Sequence, residues 1–150
     1  MDWKEFLLSK LKKRDIYRRS GQLYLTRYYV FKKPVSWLPS IYIHQFHYSD
    51  EDPELHNHPW KSSVSFILKG AYMEHYRKGD TVFCRSLTPG NLNWIKSDTF
   101  HRVDLITPKV WTLFISGRKI DSWGFWSPVS NEYWNWTEHA QRKFKPLFSD

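Results

Sequence analysis

The 150-residue chain carries 23 Lys and Arg against 15 Asp and Glu, a formal charge of +8, so its surface field favours anionic partners and an acidic, self-solvating chain is excluded. Aromatic residues make up 19% of it, with Trp 9, Tyr 9 and Phe 10, which is enough large apolar area to offset the entropy of ordering and excludes a disordered polypeptide. Its one cysteine, Cys84, excludes an internal disulfide framework and a cysteine-based zinc ribbon and suits a reducing compartment, with the cytoplasm as the expected location.

Asp2 followed by Glu5 reads as a capping box, and Trp3, Phe6, Leu7 and Leu11 recur behind it at helical spacing, which predicts an amphipathic helix over 2–13. Charges at positions 2, 4, 5 and 10 leave no apolar run of signal-peptide or membrane-span length, so a soluble chain without membrane association is expected. The basic cluster Lys10, Lys12, Lys13, Arg14, Arg18 and Arg19 reads as a solvated helix end, with phosphate contact as the alternative.

From residue 22 the apolar period changes. Short runs rich in Val, Ile, Tyr, Phe and Trp predict strands near 22–31, 41–48, 62–69, 71–77, 80–86, 92–96, 100–106, 110–117 and 122–126. Lys78-Gly79-Asp80 and Pro89-Gly90-Asn91 are the turn signals between them. Many short strands with no second helical period before a short helix at Trp136 to Phe144 predict an all-β sandwich or barrel. With no repeat or linker, 1–150 reads as one domain: helix 2–13, a barrel over about 22–127 and an extension over 128–150.

The chemistry-bearing segment is Pro53-Glu54-Leu55-His56-Asn57-His58-Pro59-Trp60. Residues i and i+2 of an extended chain project from one side, so His56 and His58 can reach one ion, and imidazole selects the transition series over magnesium and calcium. His101 in Phe100-His101-Arg102-Val103 follows the turn at Pro89-Gly90 and is the candidate third ligand.

The order of these residues resembles the cupin superfamily, in which a His-x-His motif ending in a hairpin Gly is followed by a Pro-Gly motif and a further His. His56, His58 and Gly70 match the first motif, and Pro89, Gly90 and His101 the second. The resemblance implies a cupin double-stranded β-helix, a jelly-roll barrel with an N-terminal helix and a short C-terminal helix, and one divalent transition metal on His56, His58 and His101. Iron or zinc comes first, with manganese or nickel as alternatives. Ser63, with Ser62 beside it, stands where many cupins carry a metal-binding Glu, and the resulting three-His set is similar to that of thiol-dioxygenase cupins. The runs His56 to Trp60, Ile67 to Tyr72, Trp111 to Gly117 and Trp123 to Phe125 further resemble small cupin-like proteins of bacteriophages and bacteria.

Two further residues are candidates for catalysis. Gly70, Tyr72 and Glu74 alternate onto one face, so Glu74 is expected either inside the barrel, as fourth ligand or general base, or as an exposed carboxylate paired with Lys or Arg. His44 shares a side with Tyr42 and Phe46 and is expected to face inward in preference to His47, as a catalytic or a structural histidine. The acidic run Asp50, Glu51, Asp52 and Glu54 either orients an imidazole or forms a solvated loop. Cys84 reads as inert packing in an apolar strand, and most of Trp60, Tyr72, Trp94, Trp111 and Trp126 as core rather than as stacking surfaces for a base or sugar. The function expected is a metal-dependent cupin enzyme (oxygenase, lyase, isomerase or hydrolase) acting on a small polar or anionic molecule. The rivals are a non-catalytic barrel that binds a nucleotide, sugar or nucleic acid, and a phage structural or accessory protein. Exposed strand edges and aromatics suggest a homodimer.

Overall fold

The computed structural model describes residues 2–32, 35, 37–120 and 122–144. Helix α1 (Trp3–Ser9) is capped by Asp2, whose side chain accepts from the Lys4 amide, and it ends at Lys10 rather than continuing to residue 13. Residues beyond it are claimed by the sheet: β1 (Lys13–Tyr17) pairs antiparallel with β2 (Leu23–Phe31), with Lys13 opposite Tyr28 and Ile16 opposite Leu25. Ladder hydrogen bonds to an existing strand outweigh the weak helical preference of a basic segment. None of the residues of α1 is buried.

The remaining strands are β3 (Ser40–Phe46), β4 (Leu55–His56), β5 (Ser62–Lys69), β6 (Tyr72–Lys78), β7 (Thr81–Leu87), β8 (Leu92–Lys96), β9 (His101–Leu105), β10 (Val110–Ser116), β11 (Gly124–Trp126) and β12 (Tyr133–Asn135), and α2 (Trp136–Phe144) follows. They form two antiparallel six-stranded sheets in the orders β1-β2-β3-β10-β5-β8 and β12-β11-β4-β9-β6-β7. From β3 to β11 the chain passes back and forth between the two sheets, so that neighbours within a sheet, such as β10 and β5 or β4 and β9, are distant in sequence, which is the double-stranded β-helix arrangement of a cupin jelly roll.

Side chains alternate across each strand. On β3 the inward set is Ser40, Tyr42 and His44; on β10 it is Val110, Thr112, Phe114 and Ser116. Ile67, Tyr72, Leu87, Val103 and Val110 form one buried apolar cluster, and Tyr42, Ile95 and Phe114 a second against which Trp60 packs. Between these clusters the barrel stays open as a cavity of about 520 Å³.

Gly70 closes the β5–β6 hairpin for two reasons. Its φ is +81°, and a Cβ there would lie 2.2 Å from the Lys109 carbonyl oxygen and 2.7 Å from Thr107 Oγ1. Only glycine meets both conditions. Helix α2 is tied down by Phe125 stacked on His139 at 3.8 Å and by Lys143 Nζ at 3.2 Å from Glu54. None of the helices described is long and apolar enough to cross a membrane.

Candidate metal centre

His56 ends the two-residue strand β4, where its register partner on one side is His101 of β9 and on the other Phe125 of β11. Asn57 then clips the segment in place. Its Nδ2 donates to the Ser97 carbonyl at 3.0 Å and its Oδ1 accepts from the Gly124 amide at 2.8 Å. With Asn57 fixed, His58 comes to the same ion-sized space as His56, although β4 has already ended.

The three imidazoles converge as the spacing predicts. One ligand atom each of His56, His58 and His101 lies within 4.8 Å of the others, and the Nε2 atoms of His58 and His101 are 2.9 Å apart. Two nitrogens sharing an ion at about 2.0–2.1 Å sit at roughly this separation. Burial pushes His56 down to about 4, against the upward pull of Asp50, and pushes His58 well below the usual imidazole range with help from its histidine neighbours. Both are therefore neutral at pH 7, the form that binds metal. Three imidazole donors suit a divalent transition ion and fit magnesium or calcium poorly.

Glu74 is buried and meets this group from behind. Its Oε1 accepts from His101 Nδ1 at 2.8 Å and from Asn93 Nδ2 at 2.7 Å, while Oε2 accepts from Arg85 Nε at 2.7 Å. Burial raises its pKa, but the His101, Asn93 and Arg85 bonds outweigh that and bring it down to about 2. A carboxylate on Nδ1–H fixes the tautomer in which Nε2 of His101 offers its lone pair to the cluster. Glu74 thus combines the two alternatives of the sequence: it is inside the barrel, and it pairs with an arginine. Ser63 is buried as well, its hydroxyl directed at the Ile95 carbonyl.

His44 faces inward, as expected, and lines the cavity between Tyr42 and Phe114, whose ring centroids are 5.8 and 5.0 Å away. Its Nε2 accepts from Arg27 Nε at 3.0 Å, and burial, reinforced by Arg27, holds it neutral. His47 lies on the other side of the strand against Thr26.

The cavity wall also holds Arg27 and Thr112, which the sequence did not single out. Arg27 sits on the inward face of β2 opposite His44, its guanidinium 4.8 Å from the Tyr42 ring. No carboxylate pairs with it among the described residues, whereas Arg19, at the cavity rim, is bound by Asp52 at 2.6 Å. The available signal was a lone cation alternating with Leu25 and Tyr29. Thr112, also in the cavity wall, has a buried hydroxyl without a protein hydrogen-bond partner. Asp50, part of the acidic run, accepts from the Tyr24 hydroxyl and from the Val103 amide and lies 3.7 Å from His56 Nδ1, so it steadies the floor beside that ligand. The packing expected of Cys84 is corrected. It is exposed on β7, a sheet-edge strand, with its Sγ 3.0 Å from His75 Nδ1, because the apolar run around it faces solvent on an edge.

No model of a known protein family matches the sequence, and no curated protein matches it. Solved structures do match in fold. The chain is similar to Fe(II)-HppE with its alternative substrate (S)-1-HPP, with a TM-score of 0.59 at 10% identity over 73% of this chain and 57% of that one. It is similar to Streptomyces albus HEPD with 2-hydroxyethylphosphonate and Fe(II) bound, with a TM-score of 0.60 at 8% identity over 74% and 25%. A Klebsiella pneumoniae protein with a double-stranded β-helix domain gives a TM-score of 0.53 at 15% identity over 73% and 89%. The chain therefore spans a little over half of the HppE chain and a quarter of HEPD. These likenesses show the fold, a double-stranded β-helix, and the three histidines converge on one wall of it.

Proposed function

We propose that this chain is a metal-dependent cupin enzyme that holds one divalent transition ion, iron(II) or zinc, on His56, His58 and His101 and acts on a small anion seated in the cavity. The observation that carries this reading is the convergence of three imidazoles, one backed by a buried carboxylate, on the wall of a cavity of about 520 Å³. That volume is in the range of small-molecule sites. Bound there, an ion supplies Lewis acidity, or redox chemistry if it is iron.

The protein's own groups divide the remaining work. Arg27, unpaired by any carboxylate, offers its terminal nitrogens to a carboxylate, phosphonate or phosphate, a geometry suited to bidentate binding. His44 keeps Arg27 in place through Nε2 and adds no charge of its own. Thr112 offers its hydroxyl to a polar part of the substrate. Phe114, Trp60 and Phe46 exclude water from one side and strengthen the ionic contacts. Glu74 is a positioning residue that holds the His101 ring. The fold gives support: two of the similar structures contain Fe(II), one of them with 2-hydroxyethylphosphonate bound.

The test is metal titration of chelator-stripped protein with Zn(II) and, without oxygen, Fe(II). About one ion per chain is expected, with affinity reduced by roughly 100-fold or more in His56→Ala and His101→Ala. Binding of less than about half an ion per chain, or folded variants that bind like the wild type, overturns the reading. A non-catalytic barrel for a nucleotide, sugar or nucleic acid is favoured by the +8 charge alone. It requires steeply salt-dependent binding that survives loss of the histidines.

A further inference from the structure

The sheet β1-β2-β3-β10-β5-β8 has a second apolar face, on the side away from the cavity. The register lines up Tyr28, Ile43, Leu113, Phe66 and Leu92 directly across five strands, from β2 to β8. Two residues further along the strands, Phe31, Ile41, Ile115, Val64 and Trp94 form a second row across the same five. Trp111 extends the surface and stacks on Tyr28 at 6.0 Å. Neither row contains a charged or strongly polar residue.

An antiparallel sheet with one solvated face alternates apolar and polar residues. Here the pattern is inverted: the inward face carries Arg27, His44, Thr112, Ser65 and Asn93 around the cavity, and the outward face carries the two hydrophobic rows. Trp94 is 65% exposed and Leu92 57%. Even the central Ile43 and Leu113, flanked by strands on both sides, remain partly exposed. Isolated exposed hydrophobics need no explanation, but contiguous rows do.

We propose that this face is the interface of a homodimer, with a second copy of the chain packed sheet against sheet on the same two rows. Size is the first reason. Five strands at about 4.8 Å spacing, with the two rows and the partial row of Trp111 each about 6.8 Å apart, make a slab of roughly 25 by 20 Å. With side-chain relief such a slab presents on the order of 700 Å² of accessible surface, near the ~800 Å² per partner of a standard interface.

Charge is the second. Each copy bears +8, so two copies associate only through a surface that brings no like charges together, and this face is neutral at its centre with Lys96 and Lys69 at opposite ends. The face's other cation is Lys13 on the edge strand β1, in register with Tyr28 and 3.9 Å from Asp15, so nucleic acid and other anions find no cation within the two rows. Symmetry is the third. A two-fold contact places each row against its own copy, so one patch serves both partners, and sheets so packed keep their strands within about 30° of each other. The edge strands, which the sequence reading held responsible for pairing, are not needed.

Sedimentation of the full chain over about 1–100 µM tests the proposal. Twice the 18.3 kDa chain mass is expected. The double variant Phe66→Glu/Trp94→Glu puts a carboxylate in each row of both copies and is expected to weaken association by at least ~100-fold, giving monomer across the range with the wild-type circular dichroism spectrum. Phe83→Glu, at an exposed position on the other sheet, is the control expected to remain dimeric. The milder Leu92→Ser/Trp94→Ser provides a folded comparison if the charged variant does not fold. A wild type that stays monomeric at the highest concentration overturns the proposal, as do folded double variants that dimerise as tightly as the wild type.

Discussion

Glu74→Gln probes the centre at one remove from the metal ligands. The substitution preserves shape and removes charge. His101 Nδ1 and Asn93 Nδ2 both donate to Oε1, so the glutamine oxygen must take that place and its amide NH2 must face Arg85 Nε, donor against donor. The bond to His101 persists but is no longer charge-assisted, which about halves its strength, and the guanidinium loses its buried partner. Loss of such an outer partner costs about 10–100-fold in metal affinity, and the retained acceptor puts Glu74→Gln near the lower end, at about 10-fold or ~1.4 kcal/mol. Glu74→Ala, with no acceptor, belongs at the upper end. Arg85 is 45% exposed, so Arg85→Gln leaves the His101 bond intact and water takes over much of its role; a change of less than about 3-fold is expected there. Competition with a chelator for Co(II), followed by its visible ligand-field absorption, measures affinity and ligand geometry together. If folded Glu74→Gln and Glu74→Ala both bind within about twofold of wild type, the carboxylate does not orient His101 and the argument fails.

Three further outcomes follow from particular contacts. Arg27→Gln should weaken binding of a small carboxylate or phosphonate to the metal-loaded protein by about 10–100-fold, the value of a lost charge-assisted pair, with metal affinity nearly unchanged; equal loss of both would place Arg27 in the metal site instead. Gly70→Ala should cost about 3 kcal/mol in urea unfolding, since the left-handed φ costs about 1–2 kcal/mol and the Cβ must displace the Lys109 carbonyl; a loss under about 1 kcal/mol would mean the hairpin adapts freely. In the metal-free protein His56 is held at about 4 against 6.5 when unfolded, so the unfolded state takes up the proton first as pH falls. Stability should drop by about 3 kcal/mol between pH 6.5 and 4, and Glu74, at about 2 against 4.5, should deepen the loss as pH falls below 4.5. Thermal unfolding across pH 7 to 3 reads the slope, and a flat profile for the wild type and His56→Gln alike would refute the assignment.

Much of the architecture was legible because its signals are local. Residues 62–69 and 92–96 are short runs carrying β-branched and aromatic residues and bounded by turns, and they coincide with β5 and β8. The approach of His56 and His58 was legible because a His-x-His segment needs only extended backbone to aim both rings one way, whereas His101 could be placed beside them only through the order of motifs. What local signals could not convey is pairing. Strands β4 and β12 are two and three residues long and exist only because β9 and β11 lie beside them. Lys13 to Tyr17 has no strong period, and β2 alone makes it a strand. Arg27 stayed hidden for a related reason: a cation on an inward face is recognisable only once inward and outward are known. The two rows on the outer sheet were equally invisible, since each is assembled from five separate strands, and a run such as Ser62 to Lys69 contributes alternate residues to opposite surfaces.

The polar contacts behind the histidines have an implication for how the centre is filled in a cell. Glu74 is satisfied by Arg85, Asn93 and His101 without any help from an ion, and Asn57 is clipped at both ends of its amide. Such a barrel can complete its folding empty and wait. On the proposed reading, metal would be acquired by a finished container instead of by a nascent chain, so scarcity should yield intact, metal-free molecules that later supplementation fills, with no need for resynthesis or chaperones.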